Sequence, residues 1–300
     1  MQAVVRLATI VAWAFAVLWP CASFALTIDS PTTSWTPVTY AGLVPDYFND
    51  EQTGDIESDI VGDSLNPAVY TQFDDNGTPG DNSDDILAFR VRIGATKAPL
   101  GFSRFVAVGL DANQDGSLDL FIGVDNGGGD DHIEIYNAGT GQNISPSTTS
   151  IESFDPARRY AYDPDLFPNY DDYYNWSAID IILDPAATSF DLDGDTNTDH
   201  FVSWAVPFQD VINGLAAAGI SGFDENSPVS YVAGTSTQPN ALNQDLGGPP
   251  KGGTTSSDTW AVLGAMSDTT RIAPTPEPNS FALFALGILG LTALRRRGLV

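Results

Sequence analysis

The sequence predicts a mainly β protein, an antiparallel, jelly-roll-like β-sandwich with one short helix. Three observations carry this expectation. Twenty-eight glycines and 20 prolines cut the chain into many short apolar runs, the punctuation of strands and turns. Of the 39 acidic residues, thirty-three are aspartate and six glutamate; aspartate favours turns and metal loops, whereas glutamate is the better helix former. The segment from Ile86 to Ile93 alternates with period two: Leu87, Phe89, Val91 and Ile93 share one face and Ala88, Arg90 and Arg92 the other, as in a half-buried strand.

Similar strands are expected from Phe105 to Leu110, Leu118 to Val124, His132 to Tyr136, Trp176 to Leu183, His200 to Val206, Val229 to Ala233 and Trp260 to Leu263. Their spacing suits an antiparallel sandwich. The helix follows the His200 strand. Pro207 suits a first-turn position, Phe208, Val211, Ile212 and Leu215 recur at i, i+3, i+4 and i+7, and Gly219 can end it. It is expected to cap an end or edge of the sandwich.

The two ends of the chain read as addresses. After Arg6 an apolar segment runs from Leu7 to Leu18, and Ser23-Phe24-Ala25 places small residues at −3 and −1 of a signal-peptidase cut after Ala25. At the other end Pro276-Glu277-Pro278 precedes an uncharged apolar run from Phe281 to Leu294, then Arg295-Arg296-Arg297. A helix of that length rises only about 21 Å, short of a hydrocarbon core of roughly 30 Å, so a permanent anchor is a poor interpretation. Motif, short apolar helix and terminal arginines together resemble the PEP-CTERM sorting signal of exported proteins of Gram-negative bacteria. That resemblance implies recognition and removal by an exosortase-type enzyme, transient inner-membrane contact through the C-terminal helix, and release to the cell surface or extracellular matrix. The expected division is a signal peptide over 1–25, a β-sandwich body over 26–270 and a sorting signal over 271–300.

Losing the leader and the tail from Pro276 onward removes four of the 12 basic residues (Arg6, Arg295, Arg296, Arg297) and one of the 39 acidic ones, Glu277. The body then carries roughly −30, which excludes nucleic acid as a partner and favours divalent cations. The one cysteine, Cys21, leaves with the leader. The body therefore has no disulfide although its compartment would permit one, and another form of crosslink becomes attractive.

Two segments align without gaps. Asp111-Ala112-Asn113-Gln114-Asp115-Gly116-Ser117-Leu118-Asp119 matches Asp191-Leu192-Asp193-Gly194-Asp195-Thr196-Asn197-Thr198-Asp199. Oxygen ligands fall at positions 1, 3, 5 and 9 of each, spacing that turns alternate side chains and the position-7 carbonyl toward one hard cation. The position-12 glutamate of an EF-hand is missing, since Ile122 and Val202 stand there. The loops resemble the aspartate-rich calcium loops of thrombospondin type 3 repeats and dockerins. Asp111, Asn113, Asp115, the Ser117 carbonyl and Asp119 would hold Ca2+ in the first, and Asp191, Asp193, Asp195, the Asn197 carbonyl and Asp199 in the second. Gly116 supplies the sharp turn at position 6, but the second loop puts Thr196 there, and a β-branched residue is poor at positive φ. Both loops also admit a plain interpretation as Asp/Gly turns between strands. Against it, converging carboxylates repel by about 1 kcal/mol per pair even in a water-like dielectric.

Tyr160, Tyr162, Tyr170, Tyr173, Tyr174 and Trp176 lie among aspartates, the composition of a sugar-binding face. The length of the segment favours the other explanation, a loop held onto the sandwich by its own rings. Of the two histidines, His132 and His200, each lies in an expected strand, and no nucleophile, zinc or phosphate motif accompanies them. The segments Asp85 to Arg92, Tyr174 to Ser177, Gly234 to Gln238 and Asn243 to Asp245 are similar to bacterial surface proteins bearing the same tail, a resemblance that implies an address and supplies no established activity. The expectation is an exported, calcium-stabilised structural or adhesive component of an exopolysaccharide matrix, not an enzyme. A carbohydrate-binding module and a glycan hydrolase stay as alternatives.

Overall fold

The computed structural model describes residues 26–42, 46, 48–53, 55–96, 102–127, 132–153, 159–161, 173–248 and 253–273. The expected leader lies outside them, and so does the expected sorting signal except for residues 271–273.

Two antiparallel sheets face each other. The smaller has the order β1 (Thr36–Pro37), β2 (Val69–Asp74), β3 (Ile86–Ile93), β10 (His200–Pro207), β9 (Tyr174–Ala178). The larger runs β12 (Asp245–Leu246), β11 (Pro228–Ser236), β4 (Phe105–Asp111), β5 (Leu120–Asp125), β6 (His132–Ala138), β7 (Ile151–Glu152), with β13 (Thr270–Arg271) on β11 and β8 (Arg159–Ala161) on β6. β3 and β10 pair along their whole length, from His200 opposite Ile93 to Pro207 opposite Ile86. Their successors in the chain pair likewise in the other sheet, Ser230 opposite Asp111 through Ser236 opposite Phe105.

The alternation in β3 does what period two requires. Leu87, Phe89, Val91 and Ile93 enter the inter-sheet core with Val202, Trp204 and Val206 of β10, against Val106, Val108 and Leu110 of β4 and Tyr231 of β11. Phe89 is the hinge of this packing, 5.8 Å from the Trp204 ring and 5.7 Å from Tyr231 across the sandwich.

The opposite face of β3 is buried too, where the sequence had suggested half burial. Arg90 and Arg92 are fully covered because the chain from Leu26 to Trp35 and the segment around Ile179 and Leu183 pack over that face. Arg90 donates to Ser203 Oγ and the Ile28 carbonyl, both at 2.8 Å, and lies 4.2 Å from the Trp35 ring. The rings of Trp35 and Phe201 lie against the guanidinium, contacts that help hold a buried arginine, while its Nη1 has no hydrogen-bond partner.

Helix α1 (Phe208–Ala217) starts directly after Pro207 and buries Phe208, Val211 and Leu215 in the inter-sheet core. Gly219, at φ +95°, ends it while Ile220 N–H donates back to the Leu215 carbonyl at 2.8 Å, a C-terminal closure that glycine makes cheaply. Two expected strands are corrected. Trp260–Leu263 is a single helical turn, α2: Thr259 caps its first turn, Gly264 turns left-handed at φ +81°, and the Trp260 indole donates to the Asn143 carbonyl at 2.7 Å. The strand expected to reach Leu183 stops at Ala178, because Asp180 Oδ1 accepts from the amides of Ile182 and Leu183 at 2.8 Å each and folds the chain into a turn.

Candidate metal centres in the aspartate loops

The first loop joins β4 to β5 and the second leads into β10. The same hydrogen bonds recur at matching positions. The position-2 amide donates to the position-9 carboxylate, Ala112 to Asp119 at 2.9 Å and Leu192 to Asp199 at 3.2 Å. The position-6 amide donates to the position-1 carboxylate, Gly116 to Asp111 at 2.9 Å and Thr196 to Asp191 at 3.1 Å. The position-7 amide reaches position 5, Ser117 to Asp115 at 2.9 Å and Asn197 to Asp195 at 2.6 Å. Positions 4 and 6 are left-handed in both, Gln114 at +62° and Gly116 at +85°, Gly194 at +74° and Thr196 at +77°. The gapless alignment therefore holds in the backbone, with Thr196 forced into a conformation β-branched residues resist.

The carboxylates differ. In the second loop Asp191, Asp193 and Asp195 bring one oxygen each within 4.8 Å of one another, and Asp193 Oδ2 is buried without a hydrogen-bond partner. Burial pushes Asp193 up to about 6, with repulsion from Asp195 and Asp191 adding to it. Asp199 turns the other way: it is fully buried and accepts from Arg92 Nε at 2.8 Å, with Arg92 Nη2 at 2.7 Å. It anchors the base of the loop to β3. In the first loop Asp111 is buried and its carboxyl raised by that burial, while burial pushes Asp119 up to about 6, aided by Asp111 and Asp115. Here Asn113 stands where the second loop has Asp193. Ser117 Oγ is spent on the Gln142 carbonyl at 2.8 Å, leaving its own carbonyl for the ligand role.

The aromatic segment is used internally where it is described. Tyr160 is buried, its hydroxyl donating to Asp210 Oδ2 at 2.5 Å. Tyr173, Tyr174 and Trp176 pack on the inter-sheet core, and Trp176 stacks on His200 at 4.7 Å and 14°. Tyr162 and Tyr170 lie outside the described residues. His132 Nε2 pairs with Glu134 Oε2 at 3.0 Å, and Glu134 also takes Arg159 and Ser153. The glutamate stands between serine and histidine, so the geometry forms no Ser–His nucleophile pair.

A further acidic group, Asp50, Asp59 and Asp245, also converges to within 4.8 Å. No sequence signal announced it, since its members come from distant segments and share no spacing. Among the described residues no helix is long and apolar enough to cross a membrane.

Comparison with curated proteins and with solved structures gives no significant match. A family model does match the end of the chain, over residues 274–297, the stretch holding Pro276, Glu277, Pro278, Arg295, Arg296 and Arg297. Its presence implies export, processing by an exosortase and membrane-associated sorting to the cell surface: the chain carries the PEP-CTERM protein-sorting motif.

Proposed function

We propose that the protein is a structural or adhesive component of the extracellular polysaccharide matrix whose β-sandwich is held by Ca2+ bound in its aspartate loops. The observation that carries the calcium assignment is the convergence of Asp191, Asp193 and Asp195 with an unpartnered oxygen on Asp193. An all-oxygen, irregular donor set suits Ca2+ better than Mg2+, which demands octahedral geometry and keeps its waters. The first loop, with the same backbone and one carboxylate fewer, is the weaker of the two. Sugar binding through the aromatic segment has less support, because its described rings are occupied by the core.

Thermal melting of the exported protein in chelator and in calcium tests this. At calcium about 100 times Kd, one site adds about 2.7 kcal/mol, a Tm rise of about 5 to 10 °C at this size. Asp191→Ala with Asp193→Ala should remove part of the rise, and Asp111→Ala with Asp115→Ala a smaller part. Loop variants that keep the full rise would overturn the assignment.

A further inference from the structure

The strongest unexplained feature lies beside the second loop, in a different stretch of the chain. The described residues among 46–62 lie at one margin of the sandwich, tied to both sheets. On one side Ile60 bridges to Ile93 and Gly94 N–H donates to the Asp59 carbonyl at 2.9 Å, tying the segment to the end of β3. On the other, Gln52 N–H donates to the Gln244 carbonyl at 2.8 Å, and Ile60 N–H to Asp245 Oδ2 at 2.7 Å, which ties it to β12.

Carboxylates gather where these ties meet. Asp59 is 1 % exposed, Asp245 3 % and Asp46 4 %, and the charges that press on Asp46 and Asp245 are those of other carboxylates, Asp50 and Asp59 among them. Backbone amides orient them: Asn49 N–H donates to Asp59 Oδ2 at 2.9 Å, Gly248 N–H to Asp46 Oδ1 at 3.2 Å, and Leu246 N–H to Asp245 Oδ1 at 2.8 Å beside the Ile60 amide on Oδ2. Asp59 Oδ1 and Asp46 Oδ2 are left buried with no hydrogen-bond partner, as are Glu51 Oε2 and the Tyr40 hydroxyl. Buried polar atoms are rarely left so, and buried charges are normally paired or on a metal. The spacing has the right scale. Oxygens at about 2.3 to 2.6 Å from one calcium ion lie at most about 4.6 to 5.2 Å apart, and those of Asp50, Asp59 and Asp245 lie within 4.8 Å.

We propose that Asp50, Asp59 and Asp245, with Asp46 and Glu51 at their margin, form a buried calcium site that ties the end of β3 to β12 and so pins one sheet to the other. The donors are all oxygen, so the ligand is a hard cation. An irregular set of carboxylate oxygens suits Ca2+ better than Mg2+, which demands near-octahedral geometry and keeps its waters. The site adjoins the second loop without merging with it: a Cβ on Gly94 would stand 2.9 Å from Asp193 Oδ2 and 3.4 Å from Asp59 Oδ2. In a chain with a single cysteine such an ion does the work of a disulfide, closing a long loop between residue 59 and residue 245.

The test counts calcium ions by native mass spectrometry on the exported protein. Asp59→Asn with Asp245→Asn keeps the shape and removes the charge, and should bind one ion fewer than the parent. Asp191→Ala with Asp193→Ala should keep that ion, which separates this site from the loop assignment. An unchanged ion count in the Asn variant overturns the proposal. Terbium luminescence on the unmutated protein gives a second measure that needs no variant. A buried site predicts a bound terbium ion with almost no inner-sphere water, judged from lifetimes in H2O and D2O, surviving in the loop variant. Finding only well-hydrated terbium overturns the proposal as well.

Discussion

Asp85 closes an acidic run that, by composition, reads as a solvated loop, yet it is 2 % exposed. The chain must dive into β3 at the next residue, and the Asp85 carbonyl accepts the first amide of α1, Phe208 N–H, at 2.8 Å. The side chain goes inward with the backbone, and Oδ1 has no hydrogen-bond partner. Burial pushes its carboxyl up to about 6, with Asp84, Asp75, Glu225 and Asp81 adding to the shift. The sign follows from which state holds the proton. Between the unfolded value of about 3.9 and the folded value of about 6 the folded protein binds more protons, so this group's contribution to stability falls as pH rises through that window and is flat above it. Asp85→Asn removes the titration. In chelator, the Tm difference between variant and parent should move in the variant's favour from pH 4 to pH 6 and stay constant from pH 7 to pH 8. A difference that does not change with pH would show that Asp85 does not titrate in this range.

At the scale of elements, β5 is set by what it lacks. Gly123 lies opposite Ala107 of β4, and a Cβ there would meet the Val106 carbonyl oxygen at 2.6 Å and Ala107 Cβ at 2.8 Å. Neither neighbour is a flexible side-chain end, so the strand pair itself would have to part. Gly123→Ala should therefore lose about 1 to 3 kcal/mol of stability in denaturant unfolding, against the gain a strand interior normally makes on exchanging glycine for alanine; a stabilised variant would contradict the close approach. β3, β4, β5, β6, β10, β11 and α1 were legible in the sequence as apolar runs between turn residues, and Leu87 to Ile93 and Phe208 to Leu215 also display the period of the side they turn to the inter-sheet core. Other elements gave no period. Trp260–Leu263 is too short to distinguish 2 from 3.6, and its true signals were the flanking Thr259 and Gly264. The burial of Arg90 and Arg92 depends on what packs over β3 from Leu26 to Trp35 and near Ile179. The aspartate loops were legible because their carboxylates are local, each accepting from amides two to seven residues away. The cluster at Asp50, Asp59 and Asp245 was not, since only the meeting of the two sheets assembles it.

The whole molecule carries a formal charge of −27, and two mechanisms can offset its self-repulsion. Screening acts on exposed pairs over a Debye length of about 10 Å at 0.1 M salt and 3 Å at 1 M; it is graded and indifferent to the identity of the cation beyond its valence. Site binding would act where carboxylates already converge, as at Asp191, Asp193 and Asp195 and at Asp50, Asp59 and Asp245, since there burial weakens screening and would strengthen attraction to a bound ion. The two separate on one plot. In chelator, raising NaCl from about 0.02 to about 0.5 M should raise Tm gradually as exposed repulsion is screened. Millimolar CaCl2 should add a further rise that saturates, exceeds that of NaCl at matched ionic strength, and persists in high salt. If NaCl at the same ionic strength reproduced the calcium effect, the acidic clusters would be acting only as diffuse charge. A saturating excess instead means that a strongly acidic body without a disulfide is held by ions from its surroundings, firm at a calcium-containing surface and looser wherever calcium is withdrawn.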